Sequence, residues 1–195
     1  MTGRLMAYLF FPVVLAAAML AGSALAERGG QTVLVLAAAA VVVLAAERFF
    51  PHLPAWQRSH RDVGVDLAHV VSVSAASLAT QAVVPAALAP FAAALVPLST
   101  ASLWPGDWPL LAQLPLALVV SELFQYWSHR LSHEWEPLWR LHATHHSAPR
   151  LYFLNAARFH PLDIVIDTAA GLVPLVLLGC PAPVMGLFAL FTGVF

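Results

Sequence analysis

An uncharged stretch of thirty-two residues, Leu67–Leu98, constrains this chain more than anything else in it. Its strongest polar interruptions are His69 and Gln81, and it carries Pro85, Pro90 and Pro97. A bilayer-spanning helix needs about 20 apolar residues. Leu5–Ala26, with 22 residues and no charge, meets that outright. Gln31–Ala46 is shorter and spans only with help from tilt or flanking residues. Leu110–Val120 is apolar and continues as a helix into polar sequence, Ile164–Val176 is apolar around Asp167, and Val184–Phe195 is apolar throughout. Prolines are tolerated in spans because neighbouring helices satisfy the carbonyls they free.

Composition supports the same conclusion. Hydrophobic residues make up 61% and charged residues 10%, against roughly 45–50% and 25% in soluble domains. The mean hydropathy is +0.80. Nine arginines, no lysine and ten acids leave a net charge of −1, which excludes a basic nucleic-acid binder. A lone Cys180 excludes a disulfide framework and paired-thiolate metal sites. The expected fold is an all-α, polytopic membrane helix bundle of about four to six spans in hairpins. One membrane domain is expected over 1–195, with spans in 1–120, a histidine-motif region in 121–163 and a C-terminal hairpin in 164–195.

Arginine placement predicts the orientation. Arg4 precedes the first run, Arg48, Arg58 and Arg61 follow the second, and Arg130, Arg140, Arg150 and Arg158 lie between the fourth and fifth. If the third and fourth spans turn back through Pro97–Pro109, only Arg28 falls on the far side. That is the positive-inside pattern, with 129–160 on the cytoplasmic face. Trp104 and Trp108 then suit the opposite interface, and Trp127, Trp135 and Trp139 the near one. Arg61, Asp62 and Asp66 read as an interfacial ion-pair group. The first run also resembles a secretory signal peptide ending at Ala24-Leu25-Ala26, but its length favours a retained span.

Six of the nine histidines fall between 129 and 160. His129 and His133 lie four apart, and His142, His145 and His146 stand at i, i+3 and i+4. On a helix these spacings put imidazoles on one face with Cβ atoms about 5–6 Å apart, so two ring nitrogens can reach one cation. Leu138–Ser147 is expected to begin a new helix after Pro137. A nitrogen-only donor set suits iron, zinc or copper rather than magnesium or calcium. Five or six imidazoles exceed the four ligands one zinc takes, which implies two metals. His133-Glu134 is followed by Trp135-Glu136-Pro137, which excludes the HExxH zinc protease pattern. Glu122, Tyr126, His129 and His133 share one helix face with Gln125 beside them, so Glu122 or Gln125 is placed to receive the second N–H of a ligating histidine. Arg158 and Asp163 are expected to pair with each other. His52 and His60 fall in a loop, and His69 is placed to hydrogen-bond within the bundle.

These motifs, HxxxH (His129, His133), HxxHH (His142, His145, His146) and Arg158-Phe159-His160-Pro161, with Asn155 and Asp163, resemble the fatty acid hydroxylase/sterol desaturase superfamily of membrane di-iron enzymes. The resemblance covers Ser121–Asp163. It implies two iron ions, with zinc as a substitute, held by His129, His133, His142, His145, His146 and His160. It also implies Glu122, Gln125, Asn155, Arg158 and Asp163 as candidates for supporting those ligands. The activity implied is hydroxylation or desaturation of a lipid C–H bond by dioxygen. Electrons would come from an external cytochrome, ferredoxin or reductase, since no Gly-rich dinucleotide fingerprint occurs. The family carries a further histidine cluster beyond the point where this sequence stops, so a C-terminal truncation is expected. Two alternatives stand beside this: a membrane metal-binding or transport protein without redox chemistry, and an inactive fragment of the enzyme. Sterols, acyl chains, carotenoids and ether lipids all remain open as substrates.

Overall fold

The computed structural model describes residues 2–27, 33–95 and 103–194. Among these there are seven α-helices and no strand: α1 (Thr2–Glu27), α2 (Val33–Phe49), α3 (Val63–Leu95), α4 (Leu110–Glu134), α5 (Glu136–His142), α6 (Pro161–Leu177) and α7 (Ala182–Val194). Short 3-10 turns cover Pro54–Gln57, His145–Ser147 and Phe153–Ala157. The described part of each apolar run therefore lies in a helix. Pro85 and Pro90 stay inside α3, Pro115 inside α4 and Pro174 inside α6, without ending them. The turn expected over Pro97–Pro109 is described only from Leu103 onward, and Arg28 lies outside the described residues.

The chain divides into two compact units, residues 1–50 with 182–195 and residues 51–181. In the first, α1 packs on α2 and α7. Small residues set the spacing there, because a Cβ at Gly22 would collide with the Leu190 side chain, and one at Gly193 would come within 3.0 Å of Leu36.

In the second unit α6 is the hub, with both α3 and α4 packed against it and α5 against α4. Gly171 permits the α4–α6 approach: a Cβ there would sit 2.5 Å from the Ser121 hydroxyl and 3.0 Å from the Gln125 side chain. Among the described residues, α3 (over Val63–Ala94) and α4 are the helices long and apolar enough to cross a bilayer. Their outer surfaces are apolar, with Val71 70%, Leu78 64% and Leu111 77% exposed. Leaving such side chains in water forfeits about 1.5–3 kcal/mol each, so lipid is the solvent this surface fits.

Three local expectations are corrected. Trp104 is not an interfacial anchor: it is 2% exposed and its indole N–H donates to Gln113 Oε1 at 2.7 Å, while Gln113 Nε2 donates to the Trp108 carbonyl at 2.7 Å. A buried indole keeps a hydrogen-bond partner, and this loop supplies one. Secondly, helix does not run through Leu138–Ser147. α4 ends at Glu134, Pro137 sits in the first turn of α5, and α5 ends at His142 before the 3-10 turn. Pro at a helix start loses no hydrogen bond, whereas inside a helix it would. Thirdly, Arg61, Asp62 and Asp66 do not pair among themselves.

Instead, the acids at the start of α3 hold the segment 150–158. Arg150 donates bidentately to Asp62, Nε to Oδ2 at 2.8 Å and Nη2 to Oδ1 at 3.0 Å, and its Nη1 reaches the Trp56 carbonyl at 2.6 Å. Asp66 accepts from Tyr152 Oη at 2.5 Å and from Arg158 Nε at 2.6 Å. All four charged side chains are buried. Paired, hydrogen-bonded charges can be desolvated where isolated ones cannot. The Arg150 guanidinium holds the Asp62 carboxyl well below the usual carboxylate range. Burial, with the Asp66 carboxylate beside it, pushes the Tyr152 hydroxyl up to about 12.

Candidate metal centre

α4 delivers His129 and His133 one turn apart, and α5 delivers His142 as its last residue. Their ligand nitrogens lie within 4.8 Å of one another. The Nε2 atoms of His129 and His133 are 3.2 Å apart. Two nitrogens so spaced subtend about 100° at an ion bonded to both at about 2.0–2.1 Å, an angle that tetrahedral and octahedral sites both approach. The ring centroids of His142 lie 4.6 Å from His129 and 4.9 Å from His133. The tightened backbone after α5 brings in two more rings. His146 lies 4.9 Å from His133 and 5.1 Å from His142, and His145 lies 5.6 Å from His142.

Hydrogen bonding decides which nitrogens are free. His142 Nδ1 is 2.9 Å from Asp163 Oδ2, with both side chains buried. An ionised carboxylate only accepts, so the proton sits on Nδ1 and the Nε2 lone pair is available. That Nε2 is buried without a partner, and so is His145 Nδ1. An unpaired buried polar atom costs about 1–3 kcal/mol. Two of them on neighbouring imidazoles fit a bound cation. Carboxylate–histidine pairing of this kind orients metal ligands and raises their basicity.

Residues 114–195 match the family described as fatty acid hydroxylase. An ornithine lipid hydroxylase of Rhizobium tropici, OlsE, is 38% identical over 143 residues, covering 71% of this chain and 42% of the relative. The chain belongs to the fatty acid hydroxylase superfamily. It thus spans about two fifths of the length of the curated relative it matches. No solved structure matches it.

The family's sequence motifs fall into two groups in this fold. His129, His133, His142, His145 and His146 converge. His160 stands apart from them. It caps α6, its Nδ1 accepting the Leu162 amide at 3.1 Å, and no ring contact joins it to the other five. Asp163 supports His142, so the expected Arg158–Asp163 pair does not form; Arg158 goes to Asp66. Gln125 hydrogen-bonds to no histidine among the described residues: its Nε2 donates to Asp167 Oδ2 at 3.2 Å, and its Oε1 accepts from Ser121 at 3.3 Å. Asn155 braces its own loop, accepting the Tyr152 amide at 3.0 Å and donating to the Arg150 carbonyl. Glu122 is exposed on α4, and its carboxylate accepts no hydrogen bond among the described residues.

Two contacts were not legible in the spacing. Phe159 stacks on His145, with centroids 4.1 Å apart and planes 12° from parallel. Trp139 lies 5.6 Å from His146 and 5.5 Å from His133. Trp139, on α5, and Phe159 both sit beside the rings. Burial and the neighbouring imidazoles lower the pKa of His145 and of His146. Both effects disfavour imidazolium and leave neutral rings with lone pairs to donate.

Proposed function

We propose that the chain forms the histidine-rich core of a membrane-bound di-iron oxygenase that hydroxylates a lipid C–H bond with dioxygen. The observation that carries it is the convergence of His129, His133 and His142, one of them braced by Asp163, in a member of a hydroxylase family. His129, His133 and His142 would hold one ion, and His145 and His146 would contribute to the second. When bound, iron supplies the redox chemistry by which dioxygen oxidises an unactivated C–H bond, drawing electrons from an external cytochrome, ferredoxin or reductase.

The chain's own residues do the rest. Asp163 holds the proton at Nδ1 of His142 and so keeps Nε2 a donor. Burial and the neighbouring imidazoles lower the pKa of His145 and of His146 and so favour their neutral, metal-binding form. Trp139 and Phe159 pack against the rings and exclude water from one side of them. The apolar outer surfaces of α3 and α4 suit a position beside lipid, and the arginine distribution in the sequence favours the cytoplasmic side. The relative's name makes ornithine lipid the first substrate to test.

The test is iron analysis of the purified protein with reductant-driven oxygen uptake, and lipid profiling of cells expressing the gene against a His142→Ala control. About two irons per chain and a lipid gaining one oxygen atom only with the unsubstituted protein are expected. Zinc alone with no oxygen uptake, or identical lipid profiles, would overturn the assignment in favour of non-redox metal binding.

A further inference from the structure

His69 lies outside every motif, on the second turn of α3, yet it reaches the segment that carries the family's Arg-Phe-His-Pro element. Its Nδ1 is 2.8 Å from the Phe159 carbonyl. A carbonyl only accepts, so His69 donates. Phe159 in turn stacks its ring on His145 at 4.1 Å. That imidazole has one nitrogen, Nδ1, buried and unpartnered. Among the described residues no hydrogen bond fixes the plane of the His145 ring, in contrast to His142, which Asp163 holds. The aromatic stack is what sets it.

We propose that His69 and Phe159 form a positioning relay for His145, fixing the ring so that Nδ1 faces the candidate metal centre. The geometry gives the relay a rigid base. Asp62, directly before α3, and Asp66 and His69 within it stand at i, i+4 and i+7, the spacing of one helical face. All three bind the same returning segment, through Arg150, through Tyr152 and Arg158, and through the Phe159 carbonyl. The two acids pin the segment's course, and His69 fixes the backbone of the residue whose side chain meets a histidine. A planar stack holds the imidazole to one plane without touching any ion, and the ring held there keeps Nδ1 buried and unpartnered. His145 thus offers Nδ1 where His129 and His133 approach each other through Nε2. The inference rests on the metal-binding reading above.

The experiment uses the purified full chain in detergent, titrated with Co(II), whose visible ligand-field spectrum reports the donor set directly. His69→Ala and Phe159→Leu are each expected to weaken Co(II) binding about 10–100-fold and to change the spectrum. His69→Gln, which retains an N–H donor, and Phe159→Tyr, which retains the stack, should restore both. Thermal unfolding of the metal-free variants separates positioning from folding. Variants that lose stability while binding Co(II) with an unchanged spectrum and affinity would overturn the relay. Should His69→Ala not fold, Phe159→Leu, which leaves the hydrogen-bonded backbone in place, decides the matter alone. If the unsubstituted chain binds no Co(II), and His142→Ala makes no difference, the metal-centre assignment itself fails. That outcome is distinct from normal binding in both relay variants.

Discussion

Replacing Asp163 by Asn tests the central geometry most directly. The carboxylate accepts from His142 Nδ1 at 2.9 Å, in a pair that is 3% and 7% exposed. Asn fills the same space but carries no charge. A hydrogen bond to a charged group contributes about 1.5–3 kcal/mol and a neutral one about 0.5–1.5. The substitution therefore removes about 1–1.5 kcal/mol of support for the Nδ1–H tautomer. At 1.4 kcal/mol per factor of ten, metal affinity should fall about fivefold to tenfold. If the amide turns its NH2 toward Nδ1, the proton moves to Nε2 and the loss grows toward the hundredfold limit for such partners. Asp163→Ala leaves Nδ1 buried without an acceptor and should be worse than Asn. The assay is competitive Zn(II) or Co(II) titration in detergent, with binding followed by a chromophoric chelator. Affinities within a factor of two of the unsubstituted protein for both variants would refute the argument that Asp163 prepares His142 as a ligand.

Four further outcomes follow from the rest of the unit. Arg150→Ala, which leaves Asp62 buried and unpaired, should cost about 3–5 kcal/mol in denaturant unfolding; an Arg150→Met, Asp62→Leu double substitution should cost less than the single one. Because Asp62 is depressed in the fold, its contribution is fully present above the unfolded carboxylate pKa near 4 and is lost as pH falls through and below that value, so Asp62→Asn should flatten the acid limb of the stability curve. Tyr152 has the opposite sign: raised to about 12, it contributes below the unfolded value near 10 and loses that contribution as pH climbs from about 10 to about 12, a slope that Tyr152→Phe should remove. Gly171→Ala should destabilise by about 1–3 kcal/mol through overpacking against Ser121 and Gln125, and Ser121→Gly should recover part of that loss in the same melt.

The helices were legible because lipid-facing segments declare themselves by the absence of charge, and α1, α2, α3, α4, α6 and α7 each cover a run read from the sequence. The histidine spacing was legible for a similar reason. His129 and His133 share a helix face by periodicity alone, and no tertiary information is needed to bring them together. His142 joining them was implied only by family resemblance, since it depends on the break at Trp135 that turns α5 back against α4. The supporting shell was less readable. Glu122 and Gln125 are near the rings in sequence, yet the carboxylate that reaches His142 comes from twenty-one residues downstream. Arg158 was expected to pair with its near neighbour Asp163, but Asp66, ninety-two residues away, holds it. Partners at that separation are chosen by how helices pack, and no local period encodes them. Trp104 shows the same limit: indole position suggested an interface, while the outcome turned on a single glutamine nine residues on.

The ion pairs at the start of α3 give the histidine-bearing segment a second attachment. Between His146 and His160 the backbone would otherwise be a free strap running from α5 to α6. Sewn down at Asp62 and Asp66, it becomes a closed ring of structure, in which loosening the first turns of α3 also slackens the strap. Linkage runs both ways: an ion that tightens the rings must make the start of α3 harder to peel away. Protease attack around Ser59 should slow measurably when zinc or cobalt is added, although that peptide bond lies far from any imidazole of the cluster in sequence.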